Sequence, residues 1–174
     1  MSKKIVIVGA LGYLGTELCK IYSGESWNNK IVALDSRFIS ERVSQLKDWN
    51  IEFFQGEILD LGFLQKHLTD ADVVHHLAGV TDVAYVKTQA NSELDERIRS
   101  IAVNGTNNIL KSIQSHCKLI FPSTHVVFEG FSEAKENIAE NENTKPILMY
   151  SKSKVQNEID IKNSKSNFVI LRLG

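Results

Sequence analysis

Cysteine is scarce in this sequence: Cys19 and Cys117 are the only two in 174 residues. Two cysteines are too few for the disulfide framework that holds many small secreted domains together. Each lies in or beside an apolar segment, so we expect both thiols to be small buried side chains. Neither falls at a spacing typical of metal ligands, and we expect no metal site.

An excess of charge and a long hydrophobic run are also missing. The sequence has 20 basic and 21 acidic residues, which gives a formal net charge of -1. This balance offers no electrostatic attraction to nucleic acid or to an anionic membrane. No apolar stretch reaches the roughly 18 residues that could span a bilayer. The first residues lead directly into a strand-like segment without a signal peptide, so we expect a cytoplasmic protein.

What the sequence does contain is a regular alternation of short apolar runs and helix-like segments. Six runs are typical of buried strands: Lys4–Val8, Lys30–Asp35, Ile51–Gln55, Asp72–Leu77, Lys118–Ser123 and Phe168–Leu173. Helical patterns cover Leu14–Ser23, a short segment ending at Leu68, Glu93–Ser115 and Tyr150–Lys162, and a polar loop is predicted over Ser132–Lys145. This alternation favours an α/β fold with a Rossmann-type, doubly wound parallel sheet in three layers.

Three glycines follow the first predicted strand, at Gly9, Gly12 and Gly15. Such a triplet allows a tight turn, a close approach of the backbone to a pyrophosphate, and close packing of helix on strand. The helix that follows presents unpaired N–H groups and the positive end of its dipole to phosphates. A plain tight turn is the alternative, but the position between a strand and a helix favours a dinucleotide-binding loop.

The second predicted strand ends in Asp35, where a carboxylate can accept hydrogen bonds from the ribose hydroxyls of an adenosine. Because a carboxylate repels a 2′-phosphate, Asp35 favours NAD over NADP. Arg37 follows two residues later and could accommodate such a phosphate. The alternative for Asp35 is an acid that caps the following turn.

Tyr150 and Lys154 lie four residues apart on a predicted helix and so share one helix face. A nearby ammonium and a positively charged nicotinamide would both favour the phenolate, which would make Tyr150 a general base. Ser123 and Thr124 end the fifth strand, at the sheet edge where ligands bind, and one hydroxyl could orient a substrate oxygen. The alternatives are a solvated helix face for the pair and a turn-capping role for the hydroxyls.

These features together resemble the extended short-chain dehydrogenases/reductases, the NAD-dependent epimerase/dehydratase family. They follow one another in that family's order and extend across essentially the whole chain. The family's best-known members include UDP-galactose 4-epimerase. The resemblance is carried by the glycine triplet, Asp35, His75-His-Leu-Ala-Gly79, Asn104-Gly-Thr106, Ser123-Thr124 and the Tyr150/Lys154 pair.

The resemblance implies a role for each matching residue. It implies an NAD site formed by Gly9, Gly12, Tyr13, Leu14, Gly15, Asp35, Glu57, Ile58, Leu77, Ala78, Gly79, Asn104, Tyr150 and Lys154. It implies catalysis by Thr124, Tyr150 and Lys154, with Ser123 and His125 near a nucleotide-linked sugar. It also implies a homodimer through the two helices at Glu93–Ser115 and Tyr150–Lys162. Residues 1–174 would then be the NAD(P)-binding domain, inactive alone, with a C-terminal substrate-binding domain outside this chain.

Several positions depart from close relatives in that family. Glu57 stands where an aspartate is frequent, and Thr81 stands where galactose epimerases have a lysine. His125-Val126 replaces the Asp-Glu pair of the sugar 4,6-dehydratases, which argues against dehydration. The segment from Ser123 to Gly130 also resembles the dTDP-4-dehydrorhamnose reductases. We therefore expect a nucleotide-sugar epimerase, with an NAD(P)H-dependent sugar-nucleotide reductase and a non-catalytic dinucleotide-binding scaffold as the alternatives.

Overall fold

The computed structural model describes residues 2–24, 28–80, 92–133 and 136–174, which form one six-stranded sheet. The strands are β1 (Lys4–Val8), β2 (Lys30–Asp35), β3 (Glu52–Gln55), β4 (Val73–His76), β5 (Lys118–Thr124) and β6 (Asn167–Leu173). Their order across the sheet is β3-β2-β1-β4-β5-β6, and every neighbouring pair is parallel. The expected Rossmann-type doubly wound sheet is confirmed.

Helices cover both faces of this sheet. They are α1 (Tyr13–Gly24), α2 (Ser40–Asp48), α3 (Leu61–Leu68), α4 (Ser92–Arg99), α5 (Gly105–Ser112) and α6 (Met149–Asn163). Successive residues of a strand point to opposite faces, so the central strand β1 supplies two separate cores. Val6 and Val8 pack on the side of α3, α5 and α6, whereas Ile5 and Ile7 pack on the side of α1 and α2. Cys19 and Cys117 are buried and unpaired, as expected.

The strand order places the functional crevice. β2 and β3 lie on one side of β1, and β4, β5 and β6 lie on the other. The direction in which strands are added therefore reverses between β1 and β4. In open parallel sheets a crevice forms outside the carboxyl ends of the strands at such a reversal. The loop after β1 and the loop after β4 flank this crevice.

The structure differs from the sequence expectation at two helices. The long helix begins at Ser92 and ends at Ser112 rather than Ser115, and a π-helical turn at Ser100–Asn104 interrupts it. The helix α2 was not predicted, because Leu46 is its one fully buried side chain and the segment has little apolar periodicity. Thr81, which stands where the galactose epimerases have a lysine, lies outside the described residues.

Candidate active site

A cavity of about 680 Å³ opens at the carboxyl ends of β1, β2 and β4. It brings together eleven of the residues expected to hold a dinucleotide: Gly9, Gly12, Tyr13, Leu14, Gly15, Asp35, Glu57, Ile58, Leu77, Ala78 and Gly79. These residues come from four separate segments of the chain. The expected cofactor residues from the first half of the sequence therefore converge on one cavity.

The glycine loop is packed too tightly for side chains at two of its three glycines. Gly9 has a φ of +89°, and a Cβ there would lie 2.6 Å from the backbone nitrogen of Ala78. A Cβ at Gly15 would lie 2.3 Å from the carbonyl oxygen of Gly9. The N–H groups of Gly9 and Ala10 both donate to the carbonyl of Leu34. The loop is thus a close-packed backbone cradle at the start of α1, with room in front of it for a phosphate rather than a side chain.

Asp35 connects this cradle to β2. Its carboxylate is buried and accepts hydrogen bonds from the Leu11 N–H at 2.9 Å and the Arg37 N–H at 3.0 Å. The Arg37 guanidinium pairs with the same carboxylate at 3.2 Å, while 57% of the Arg37 side chain remains exposed. Asp35 therefore caps the turn and also lines the cavity, and its hydrogen bonding to an adenosine ribose stays a prediction.

The structure adds lining residues that the sequence analysis did not identify. Arg97 and Ile101 reach the cavity from the long helix, and Phe63 reaches it from α3. Gly56 makes room for that aromatic ring, since a Cβ at Gly56 would lie 2.5 Å from Phe63. Arg97 and Ile101 are four apart and share a helix face, but nothing local in the sequence shows which face meets the cavity.

Asn104 does not line the cavity. It ends the π-helical turn with an exposed side chain whose amide donates to the Ser100 hydroxyl at 3.4 Å. Its neighbours Gly105 and Thr106 are buried, and Gly105 packs against Ile58 of the cavity wall. The expected support of the cofactor region by Asn104 stays a prediction, and the observed packing support comes from Gly105.

Thr124, Tyr150 and Lys154 meet where β5 ends and α6 begins. The Thr124 hydroxyl oxygen accepts a hydrogen bond from the Val126 N–H at 3.2 Å, and the same hydroxyl is near enough to the Tyr150 phenol to lower its pKa. Lys154 Nζ lies 5.9 Å from the centre of the Tyr150 ring, 4.4 Å from that of Phe121, and donates to the Pro122 carbonyl at 2.7 Å. Two of these side chains come from one face of α6 and the third from the adjoining strand end.

The surroundings of Tyr150 and Lys154 act on the pKa of each side chain. Burial raises the pKa of the phenol above its ordinary value, while the hydrogen bond with Thr124 acts to lower the pKa. The ammonium of Lys154 is itself partly buried, and this burial lowers its pKa to about 8. Burial is the larger of these two effects on Tyr150, so the pKa of the phenol lies above its ordinary value.

Ser123 and His125 flank Thr124 but point to protein groups. The buried Ser123 hydroxyl donates to Glu158 on α6 at 2.6 Å. His125 is exposed, and its Nδ1 donates to the carbonyl of Leu173 at 3.2 Å. The Ser123 contact favours the structural alternative for this hydroxyl, and a direct contact of either residue with substrate stays a prediction.

The arrangement suits acid–base chemistry beside a bound dinucleotide. A phenol, a hydroxyl and an ammonium stand together at the same sheet edge as a loop that can receive phosphates. Within the ranges that the structure describes, no group of three or more His, Cys, Asp or Glu side chains could hold a metal. In the same ranges no helix has the length and apolar character needed to cross a bilayer.

Comparison with known proteins agrees with this geometry. The family described as RmlD substrate binding domain matches residues 3–174. A dTDP-D-glucose 4,6-dehydratase from Dictyostelium discoideum is 28% identical over 159 residues, covering 84% of this chain and 36% of that protein. A UDP-glucose 4-epimerase from Mycoplasma genitalium is 26% identical over 184 residues, covering 97% of this chain and 51% of that protein.

A solved structure has the same fold. A mutant UDP-glucuronic acid 4-epimerase from Bacillus cereus, in complex with a fluorinated UDP-sugar and NAD, superposes with a TM-score of 0.79 at 24% identity. The alignment covers 97% of this chain and 55% of that chain. The chain thus spans about half the length of this structure and of the Mycoplasma relative, and a smaller share of the Dictyostelium one.

Proposed function

We propose a function from the premise that the chain belongs to the RmlD substrate binding domain family. In this proposal the chain is the cofactor-binding and catalytic part of a nucleotide-sugar epimerase. The resemblance to the extended short-chain dehydrogenases/reductases is confirmed by its relatives and structural neighbours. One observation carries the proposal: Thr124 and Tyr150, with Lys154 one helical turn further on, stand together at the same sheet edge as the glycine-loop cavity.

The cavity fits NAD. Backbone takes the space of a Cβ at Gly9 and Gly15, and the glycine loop lines the cavity, where its backbone could approach a pyrophosphate closely. Asp35 stands where the adenosine ribose would lie, and its carboxylate favours NAD over NADP. Glu57 and Ile58 would flank the adenine, and Leu77 to Gly79 would line the cofactor beside β4. When bound, NAD would supply a hydride acceptor and a positive charge near Tyr150.

The side chains at the end of β5 divide the acid–base work. Tyr150 takes the proton from a sugar hydroxyl as its carbon is oxidised, and returns the proton when the ketone is reduced on its other face. Thr124 already accepts a hydrogen bond from Val126 N–H, so its own proton is free to stabilise the Tyr150 oxygen or the substrate oxygen. Lys154 contributes a positive charge that favours the phenolate.

A reductase is the second candidate. The family match and the segment from Ser123 to Gly130 favour it, because the same residues could carry out a single ketone reduction. A dehydratase is disfavoured, since His125 and Val126 stand where the dehydratases have an acidic pair. A non-catalytic scaffold is also disfavoured, because a pure binding protein does not need Thr124, Tyr150 and Lys154 together.

The remaining partner proposals follow from the same family. A nucleotide-linked sugar would bind across the carboxyl edge of the sheet, with a further substrate-binding domain completing the site. A homodimer would pair through α4, α5 and α6. The two buried, unpaired cysteines support a reducing, cytoplasmic environment.

Product analysis separates the two enzyme candidates. The full-length protein is incubated with UDP- and dTDP-hexoses, with and without added NADH, and the sugars are identified by chromatography and NMR. Epimerised sugar without net NADH consumption supports the epimerase. Reduction of a keto sugar with stoichiometric NADH oxidation would replace the epimerase by the reductase.

Replacing the phenol tests the assigned base. We expect Tyr150→Phe to lower kcat by about 10²–10⁴-fold, the usual contribution of a positioned acid–base group, with NAD affinity nearly unchanged. Tyr22→Phe is the matched control. It removes a phenol that lies away from the cavity and bonds His75 Nε2 at 2.8 Å, so kcat should stay at the wild-type value. Undiminished turnover by Tyr150→Phe would overturn the assignment.

A further inference from the structure

Glu158 lies on α6 one helical turn after Lys154, and its side chain is only 3% exposed. Its Oε1 accepts hydrogen bonds from the Ser123 hydroxyl at 2.6 Å and from Arg172 Nε at 3.0 Å. Its Oε2 accepts one from Arg172 Nη2 at 2.7 Å, with Lys162 Nζ at 3.5 Å. A buried carboxylate with this many donors is a built feature, because burying a charge is costly unless it is paired and hydrogen-bonded.

These contacts join three elements at the catalytic end of the sheet. Ser123 belongs to β5 and precedes Thr124, while Arg172 belongs to β6 and is the register partner of Ser123. Glu158 belongs to the helix that carries Tyr150 and Lys154. The carboxylate therefore fixes the end of β5 against α6, and the separation between Thr124 and Tyr150 depends on it.

Lys154 has few partners that can balance its charge. Its ammonium donates to the neutral Pro122 carbonyl and lies over the Phe121 ring. Two titratable groups on α6 act near it, the Tyr150 phenol and the Glu158 carboxylate. From β4 it faces His76, whose burial lowers its pKa to about 3, so this ring is neutral near pH 7. From β6, Arg172 is engaged by Glu158.

We infer that Glu158 is a positioning residue for the Thr124–Tyr150–Lys154 group: its carboxylate holds the β5 end against α6 and supplies the counter-charge for Lys154. The consequence for catalysis rests on the proposed function, whereas the counter-charge does not. Burial lowers the pKa of Lys154 to about 8, and the charge of Glu158 acts in the opposite direction. We therefore expect removal of that charge to lower the Lys154 pKa further.

The test uses Glu158→Gln in the full-length protein, because glutamine keeps an acceptor oxygen for Ser123 and removes the charge. The Lys154 resonance is followed through a pH titration by NMR of labelled lysine side chains, and Lys154→Arg serves to assign it. We expect the Lys154 pKa to fall by roughly one unit, as for the loss of a nearby opposite charge. Asp160→Asn neutralises another carboxylate of α6, bonded to Asn107 and Gln156, and should leave the Lys154 pKa in place.

A second variant covers the case in which Glu158→Gln leaves Arg172 unpaired and fails to fold. Glu158→Gln/Arg172→Met removes both charges, and replacing a whole buried ion pair is often tolerated. Glu158 acts on Lys154 through its negative charge, and the Arg172 charge lost with it acts in the opposite direction, so the double variant should show a smaller fall of the Lys154 pKa in the same direction. An unchanged Lys154 pKa in whichever variant folds would overturn the inference.

Activity provides a separate reading. If Lys154 must be protonated for turnover, the alkaline limb of the kcat/KM profile of Glu158→Gln should move to lower pH together with the Lys154 pKa. A purely structural role would lower kcat/KM at every pH without moving the limb. If no sugar nucleotide is turned over, the proposed function fails while the NMR result still decides the role of Glu158.

Discussion

At the scale of single residues, the glycine loop shows how backbone contacts dictate side-chain identity. Gly9 and Gly15 face main-chain atoms at distances that no Cβ tolerates, whereas Gly79 lines the same cavity with open space around it. A side chain is therefore excluded at Gly9 and Gly15, although both line the cavity, whereas the position of Gly79 after β4 has space for one. Gly15 lies against the Gly9 carbonyl and Ala10, neither of which can move without displacing the turn that bonds Leu34.

We expect Gly15→Ala to weaken NAD binding at least ~10-fold and to destabilise the fold by roughly 1–3 kcal/mol, the usual cost of overpacking. Gly24→Ala, at the end of the same helix with nothing within 4 Å, should be neutral or slightly stabilising. Calorimetric NAD titration and urea unfolding of both variants check this. Equal NAD affinity in the two variants would show that the crowding at Gly15 is relieved without cost.

The sequence predicted most of the site at this scale but not all of it. Gly9, Asp35 and Tyr150 could be identified because each follows a recognisable strand or helix boundary. Arg97 and Glu158 could not, because their contacts depend on how a helix is rotated against the sheet. Glu158 lies four residues after Lys154 and therefore shares its helix face. This helical spacing is the signal in the sequence that could have indicated Glu158.

At the scale of elements, α6 is held at its N-terminus by a carboxylate from another segment. Glu129 Oε1 accepts hydrogen bonds from the N–H groups of Ile147 at 2.8 Å and Leu148 at 2.7 Å, and from the Ser151 hydroxyl. A negative charge is favourable at a helix N-terminus because of the unpaired N–H groups and the helix dipole. Tyr150 lies in this first turn, so the anchor also determines where the phenol stands.

We expect Glu129→Ala to lower the free energy of unfolding by roughly 2 kcal/mol, since bonds to a charged acceptor are lost at a partly buried helix start. Glu129→Gln retains one acceptor oxygen and should lose less. The exposed Glu133 lies four residues later, and Glu133→Ala should stay within about 0.5 kcal/mol of wild type. Urea unfolding of the three variants checks the ranking, which a loss in Glu133→Ala as large as in Glu129→Ala would contradict.

Element prediction succeeded where apolar periodicity was strong. Each of the six strands contains an apolar run that predicts it, and the runs are nearly continuous in β1 and β2, which are buried on both faces. The helix α2 was missed because only Leu46 of its nine residues is fully buried. The π-helical turn at Ser100–Asn104 has no recognisable sequence pattern, because one extra residue in a single turn leaves the apolar stripe of the helix nearly unchanged.

At the scale of the whole molecule, the buried histidines His75 and His76 couple folding to pH. Burial lowers the pKa of His75 to about 4 and that of His76 to about 3, from an ordinary value of 6.5. The unfolded chain therefore binds protons at these rings below pH 6.5, whereas the folded chain does not until much lower pH. Stability is fully present above pH 6.5 and is lost as the pH falls towards the folded values.

Between pH 6 and 5 we expect the free energy of unfolding to fall with decreasing pH, with a limiting slope of about 2.7 kcal/mol per unit for two protons. Urea unfolding at intervals across pH 5–8 measures this, at pH values above the range in which carboxylates titrate. His76→Gln should remove about half of the slope. A pH-independent free energy across this interval would mean that the rings are protonated in the folded protein.

The double engagement of Asp35 also bears on how cofactor preference could evolve. One carboxylate both closes the turn after β1, through the Leu11 N–H, and faces the cavity. A substitution at Asp35 would change selectivity and loosen the loop in the same step, so selection for stability opposes that route. Arg37 is more than half exposed and lines the same cavity. Adaptation to a phosphorylated dinucleotide is therefore more accessible through Arg37 and its neighbour Ser36 than through the buried acid.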